Sequence, residues 1–204
     1  MPLNFKSKNK SLLGQGRAKE TNMKKYNIIY ADPPWKMKYL KETKSGFGVY
    51  DLPYPQMTDR EIIDLKISDM LADNAILFLW AIDSRIPIIP ELMRSWGFKF
   101  KTVGFVWNKV AKYTNGVNAT VGKYTRKSCE FCFIGTKGKC LANTHTQNQY
   151  FPEPKRKHSQ KPDGIRDNIV TMCGGLPRVE LFARNKTPGW DVWGNEVDSD
   201  IILK

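Results

Sequence analysis

The sequence predicts a single-domain α/β fold built around a parallel-rich sheet. Three observations lead there. Short apolar runs rich in β-branched and aromatic residues alternate with stretches of helical period. The strongest run, Ala75 to Ala81 (A-I-L-F-L-W-A), is apolar throughout, as expected of a strand buried on both faces. A chain of 204 residues is enough for one compact domain but hardly for two.

Met1 to Lys25 holds seven Lys or Arg against one acid, Glu20, with little apolar periodicity, and reads as a flexible basic arm (1–25) ahead of a folded domain (26–204). Tyr26 to Tyr30 (Y-N-I-I-Y) is a short buried strand, stopped by Ala31-Asp32-Pro33-Pro34 because proline cannot continue a central strand. After a Gly-containing loop, Thr58-Asp59-Arg60-Glu61 spells a capping box and starts a helix expected to reach about Leu71. Ala75 to Ala81 follows as a strand, and Pro90 to Trp96 before Gly97 reads as a helix with a glycine stop. Phe98 to Trp107 supplies another strand. Lys109 to Cys129 contains no acid and many Gly, Asn and Thr, the composition of a long surface loop. Glu130 to Ile134 and Val179 to Ala183 are two more strands, separated by a basic segment and a helix from Pro162 to Gly174-Gly175.

Net charge is +13, from 33 basic against 20 acidic residues, which favours a polyanionic partner. The basic residues lie in loop-like stretches rather than on an amphipathic helix, so nucleic acid ranks above a membrane surface. The longest apolar run, Ala75 to Ile82, is too short to span a bilayer, and the N-terminus lacks the apolar stretch of a signal peptide, so a cytoplasmic protein is expected. Cys129-Glu130-Phe131-Cys132 has the spacing of a zinc half-site, but it sits in a strand pattern without a second C-x-x-C, so no metal is expected.

Asp32-Pro33-Pro34-Trp35 is the segment that can carry chemistry. The lone pair of an aromatic amine is delocalised into its ring, and a carboxylate plus a backbone carbonyl accepting its two N–H groups would localise it. Asp32 and the Pro33 carbonyl supply that pair, the prolines stiffen the loop, and Trp35 is expected to stack on an extruded base. Attack on a sulfonium methyl needs no metal or covalent enzyme intermediate, so placement and electrostatics carry catalysis. For contact with nucleic acid, Lys109, Lys112, Lys123, Arg126 and Lys127 in the acid-free loop, interleaved with Tyr113 and Tyr124, combine charge with stacking faces.

These motifs, taken with L-P-Y-P-Q-M at Leu52 to Met57, L-F-L-W at Leu77 to Trp80, H-S-Q-K-P at His158 to Pro162, E-L-F-A-R at Glu180 to Arg184 and G-W-D-V-W-G-N-E at Gly189 to Glu196, resemble the MT-A70 family of adenine-N6 methyltransferases from about Tyr26 to Val197. The resemblance implies a Rossmann-like fold dependent on S-adenosylmethionine, with the catalytic loop early and donor-binding segments late. By position, Asp32, Pro33, Pro34 and Trp35 look like the catalytic loop, and Asp32 also like a contact to the donor's amino group. Lys161 looks like the partner of the donor carboxylate, Glu180 and Arg184 like ribose-side contacts, Asn195 and Glu196 like contacts to its adenosine, and Tyr54 like a wall of the substrate pocket. The small size and basic arm resemble phage or prophage DNA enzymes, which favours DNA over RNA as substrate. The rival reading is a non-catalytic nucleic-acid-binding subunit of the same fold, against which the retained Asp32 argues.

Overall fold

A computed structural model describes residues 24–36, 39–43, 46–50, 55–114, 116–122, 124–156 and 160–203. Most of the basic arm, Tyr54, Lys123 and His158 lie outside the described residues. The first strand, β1 (Tyr26–Ala31), is followed by a two-stranded antiparallel hairpin, β2 (Tyr39–Thr43) and β3 (Gly46–Tyr50), where the sequence suggested only a Gly-containing loop. Then come α1 (Asp59–Ile63), β4 (Leu71–Ala81), α2 (Ile89–Ser95), β5 (Lys99–Val110), β6 (Cys129–Lys137), β7 (Tyr150–Pro154), α3 (Gly164–Cys173), β8 (Arg178–Leu181) and β9 (Asp191–Trp193).

Seven of these strands form one sheet in the order β7-β5-β6-β4-β1-β8-β9. Six run in the same direction and β6 runs against them, between β4 and β5. β1 lies inside the sheet, between β4 and β8, because it is apolar on both faces. Ile29 and Ala31 enter one core with Leu77, Leu79, Ile62, Leu92 and Trp96, while Ile28 and Tyr30 enter a second core with Phe78, Trp80, Ile165 and Ile169 of α3. The alternation continues through β4, whose residues from Ala75 to Ala81 are all buried. Fully burying a large apolar side chain is worth roughly 1.5–3 kcal/mol, which makes β4 the natural spine of the sheet. Helices therefore cover both faces, α1 and α2 on one and α3 on the other. In such sheets the carboxyl ends of the strands form the ligand crevice.

Differences from the expected elements have local causes. The capping box forms as read, with the Glu61 N–H bonded to the Thr58 hydroxyl and the Thr58 N–H to the Glu61 carboxylate, but α1 stops at Ile63 and a 3₁₀ turn (Ile67–Met70) replaces its continuation. Ile, Asp and Ser dominate that stretch and are weak helix formers, and the tighter turn buries Ile67 and Met70. β7 contains Pro152 and Pro154, which is tolerated because it is an edge strand. Cys129 and Cys132 stand three apart on β6 and so leave the strand on opposite faces, a poor arrangement for chelation. Among the described residues no helix is long and apolar enough to cross a membrane.

Candidate active site

The Asp32-Pro33-Pro34-Trp35 loop leaves the carboxyl end of β1 between the ends of β4 and β8. It is held by backbone bonds the tetrapeptide alone does not reveal. The Trp35 N–H donates to the Pro33 carbonyl (2.9 Å), closing a three-residue turn over Pro34. The Met57 N–H donates to the Pro34 carbonyl and the Lys36 N–H to the Met57 carbonyl, both at 2.8 Å. Arg85 braces the loop from the segment after β4, donating to the Lys36 carbonyl (2.8 Å) and pairing with Asp59 (2.7 Å). The Pro33 carbonyl, with this one bond accepted, keeps a second lone pair.

Trp35 corrects one expectation. The residue is 6 % exposed, packed in the core with Met57, and its indole N–H donates to the Trp80 carbonyl (3.3 Å). It anchors the loop from below and offers no face for a base to stack on.

Asp32 lies beside Lys161, brought from the approach to α3, with Nζ 2.5 Å from Oδ2. Lys161 is 8 % exposed, a burial tolerable for lysine only when its charge is matched. Glu130 of β6 provides a second carboxylate 3.2 Å from the ammonium and is itself paired with Lys109 of β5. The result is an alternating chain Asp32–Lys161–Glu130–Lys109 across the carboxyl ends of β1 and β5 and the facing start of β6. Burial pushes the Asp32 carboxyl above its usual range, Lys161 pulls it back only in part, and Glu130 adds to the rise. Burial also opposes charge on Glu130, yet Lys161 and Lys109 together outweigh it and hold that carboxyl at about 2. For Lys161 burial is again the opposing influence, and the two carboxylates overcome it and raise the ammonium above its ordinary value.

The floor beneath is aromatic. The Trp80 indole N–H donates to the Tyr30 hydroxyl (2.8 Å), and Lys161 Nζ stands 5.4 Å above the Trp80 ring. Sequence reasoning passed over Glu130 because, inside C-E-F-C, it looks like one polar residue of a strand. A signal was available, since its side alternates with Phe131 and Phe133, which face the other core.

On the other side of β1, Glu180 of β8 is buried, and Arg184 follows it past the strand end. Arg184 lies close enough to contribute to the field at Asp32 and pairs with Glu196 (3.3 Å). Asn195 and Glu196 are exposed just beyond β9. Two backbone features shape this corner. Phe182 has φ +62°, a left-handed conformation costly for a bulky residue, and packs edge-on against Trp193 at 5.3 Å. A Cβ on Gly194 would overlap Ala183, 2.8 Å from its backbone nitrogen and nearer still to its carbonyl oxygen, so the W-G-N segment passes against A-R only with glycine there. The structure thus brings Asp32, Lys161, Glu180 and Arg184 to the carboxyl-end side of the sheet, around β1 and β8.

The acid-free segment after β5 is more ordered than a plain loop. Bridges Val110–Val117 and Thr120–Lys127 close two successive turns, and the Lys109 N–H donates to the Ser128 carbonyl (2.7 Å) at their base. Tyr113 and Tyr124 project at 87 % and 88 % exposure. Lys112 lies over the Tyr113 ring, and Arg126 is exposed. Two of the expected cations are already paired with carboxylates. Lys109 is turned inward onto Glu130 and the Trp107 ring, and Lys127 is paired with Asp83 (2.8 Å), tying the second turn to the segment after β4.

The sequence model of the MT-A70 family matches residues 26–196. The type II methyltransferase M.MunI from Mycoplasma is 36 % identical over 195 residues, covering 88 % of this chain and 81 % of that protein. A putative N(6)-adenosine-methyltransferase MT-A70-like protein from Medicago truncatula is 28 % identical over 176 residues, 85 % of this chain but 26 % of its own length. METTL14 of Xenopus tropicalis, named as a non-catalytic N(6)-adenosine-methyltransferase subunit, is 26 % identical over 179 residues, 81 % of this chain and 38 % of that protein. A match of the family's sequence model over most of the chain, with a relative this similar along its length, places the chain in the MT-A70 family of adenine-N6 methyltransferases.

Proposed function

We propose that the protein transfers the methyl group of S-adenosylmethionine to N6 of adenine in DNA, with Asp32 and the Pro33 carbonyl holding the target amine. The observation that carries this reading is Asp32 at the end of β1 with the buried Lys161 ammonium 2.5 Å away. An ammonium next to a carboxylate is complementary to the amino-acid end of the donor, Lys161 to its carboxylate and Asp32 to its ammonium, so the residues fit that group. Bound there, the donor supplies an electrophilic sulfonium methyl. Asp32 accepts one N–H of the adenine amine, the Pro33 carbonyl accepts the other through its free lone pair, and the amine nitrogen is thereby left with a more localised lone pair. Asp32 then takes up the surplus proton, directly or through water, a role suited to a carboxyl that burial has already pushed upward. Glu180, Arg184, Asn195 and Glu196 are the donor's ribose and adenosine contacts in this reading, with Tyr54 a wall of the base pocket.

Nucleic acid is engaged by the two turns after β5 through Lys112, Tyr113, Tyr124 and Arg126, together with Lys123. DNA is favoured over RNA because identity to the type II methyltransferase is 36 %, against 27 % to a fungal N6-methyladenosine RNA methyltransferase. The similarity to a non-catalytic subunit keeps a second reading in play, a fold that binds nucleic acid without transferring methyl. Purified protein incubated with labelled donor and unmethylated DNA or RNA, followed by digestion to nucleosides, separates these. N6-methyladenine from DNA, lost in Asp32→Ala, is the expected result. Methylated RNA alone would move the substrate assignment, and binding without transfer to either polymer would favour the subunit reading.

A further inference from the structure

Arg166 has no part in the reaction as proposed, yet its guanidinium is committed on every side. In α3, five residues past Lys161, it grips Glu180 bidentately, Nε to Oε2 at 2.7 Å and Nη2 to Oε1 at 2.5 Å, while Nη1 reaches Asp163 at 3.1 Å. The Arg166 and Glu180 side chains are 17 % and 8 % exposed. The guanidinium carbon stands 5.3 Å over the Tyr30 ring, and the Tyr30 hydroxyl accepts from the Trp80 indole that underlies Lys161. Two cations from one helix entry therefore rest on two hydrogen-bonded rings and reach two strand ends, Lys161 to Asp32 after β1 and Arg166 to Glu180 in β8. Those strands are themselves in register, Tyr30 opposite Glu180.

We infer that Arg166 is a positioning residue of the donor pocket, which fixes the plane of the Glu180 carboxylate and its separation from Lys161. This rests on the reading of Glu180 as a ribose-side contact. A carboxylate has about four acceptor sites. The fork of Arg166 uses two, one on each oxygen, so the carboxylate cannot rotate and its remaining lone pairs point in fixed directions. Lysine at 166 would keep the charge and lose the fork, leaving the carboxylate free to turn. Asp163 and, through it, Arg156 and Glu153 extend the same ion-pair chain to β7, which steadies the helix entry carrying Lys161.

The test measures binding of S-adenosylhomocysteine by calorimetry to the full chain as wild type, Arg166→Lys, Arg166→Met, Glu180→Gln and the double variant Arg166→Met with Glu180→Gln. Melting temperature is followed alongside, and kcat and the donor KM are measured on any methyl acceptor found. Arg166→Met and Glu180→Gln should each weaken binding about tenfold. The double variant should also lose about tenfold rather than about a hundredfold, because residues acting through one another are not additive. Arg166→Lys should fall between wild type and Arg166→Met, and the loss should appear in the donor KM with kcat little changed. A purely structural arginine would lower the melting temperature and leave affinity intact.

If Glu180→Gln weakens binding while Arg166→Met does not, the inference falls and the Glu180 reading stands. If Glu180→Gln binds normally, the ribose-side reading falls and takes the inference with it. A hundredfold loss in the double variant would show Arg166 acting on the ligand independently, and would overturn the positioning role. Should Arg166→Met fail to fold, Arg166→Lys and the double variant, which leaves no lone buried charge, decide the same question.

Discussion

Replacing Lys161 with methionine tests the charge arrangement at the centre of the site. The ammonium lies 2.5 Å from Asp32 and 3.2 Å from Glu130, with an 8 % exposed side chain. With an effective dielectric of about 20, each of these pairings is worth roughly 5–7 kcal/mol of Coulomb attraction, set against the desolvation of all three groups. Removing one partner of such a buried pair typically costs about 3–5 kcal/mol, because a buried charge is left uncompensated. Here the loss depends on pH. Glu130 retains Lys109 and stays ionised, whereas Asp32, already raised by burial and by Glu130, loses the cation that held it down.

The folded-state pKa of Asp32 is above its unfolded value, so its contribution is most favourable below the unfolded pKa and is lost as pH rises through the folded one. Lys161→Met moves that folded pKa further up. The variant should therefore lie about 3–5 kcal/mol below wild type at pH 8, and the deficit should shrink markedly by pH 5. Adding Asp32→Asn should recover much of the deficit at pH 8. Urea unfolding followed by tryptophan fluorescence, without donor, measures this directly. An equal deficit at both pH values, or no recovery by Asp32→Asn, would refute the reasoning.

Three further expectations need simpler measurements. Gly194→Ala must displace backbone rather than a flexible side chain, so it should lower stability by about 2 kcal/mol or more, read in the same unfolding assay. Thr58→Ala removes the acceptor for the Glu61 N–H, and should cost about 1 kcal/mol, with α1 losing amide-exchange protection before the sheet does. Lys112→Ala combined with Arg126→Ala should weaken DNA binding at low salt and reduce the slope of log affinity against log salt by roughly 2, one unit for each cation withdrawn from a phosphate. An unchanged slope would assign the phosphates to other cations.

Much of the architecture was legible because it rests on local pattern. The apolar runs of β1 and β4 announce a sheet buried on both faces, the Thr58 and Glu61 spacing announces a helix start, and Gly97 and Gly174, both with positive φ, mark two helix ends. The D-P-P-W segment was legible as a loop at a strand end for the same reason. The hairpin β2–β3 and the proline-bearing β7 were not. The hairpin strands are short, mix charged residues and glycines with apolar ones and stand apart from the main sheet, and β7 is a short edge strand whose prolines break the strand pattern and whose partner β5 is distant in sequence.

The family and the kind of chemistry were thus determined by the sequence itself, through motifs whose order survives without any knowledge of their contacts. Tertiary structure decided which charges meet. Lys161 is 129 residues from Asp32 along the chain, and Glu130 and Arg166 carry no motif of their own. Their roles arise only because the sheet places β1 between β4 and β8, because β6 runs against its neighbours, and because α3 enters over Tyr30 and Trp80. Trp35 makes the same point in reverse: its residue type suggested a stacking surface, but its 6 % exposure shows an anchor. Spacing along a chain specifies local geometry, whereas the meeting of buried charges depends on which strands become neighbours, and that is settled by packing over the whole domain.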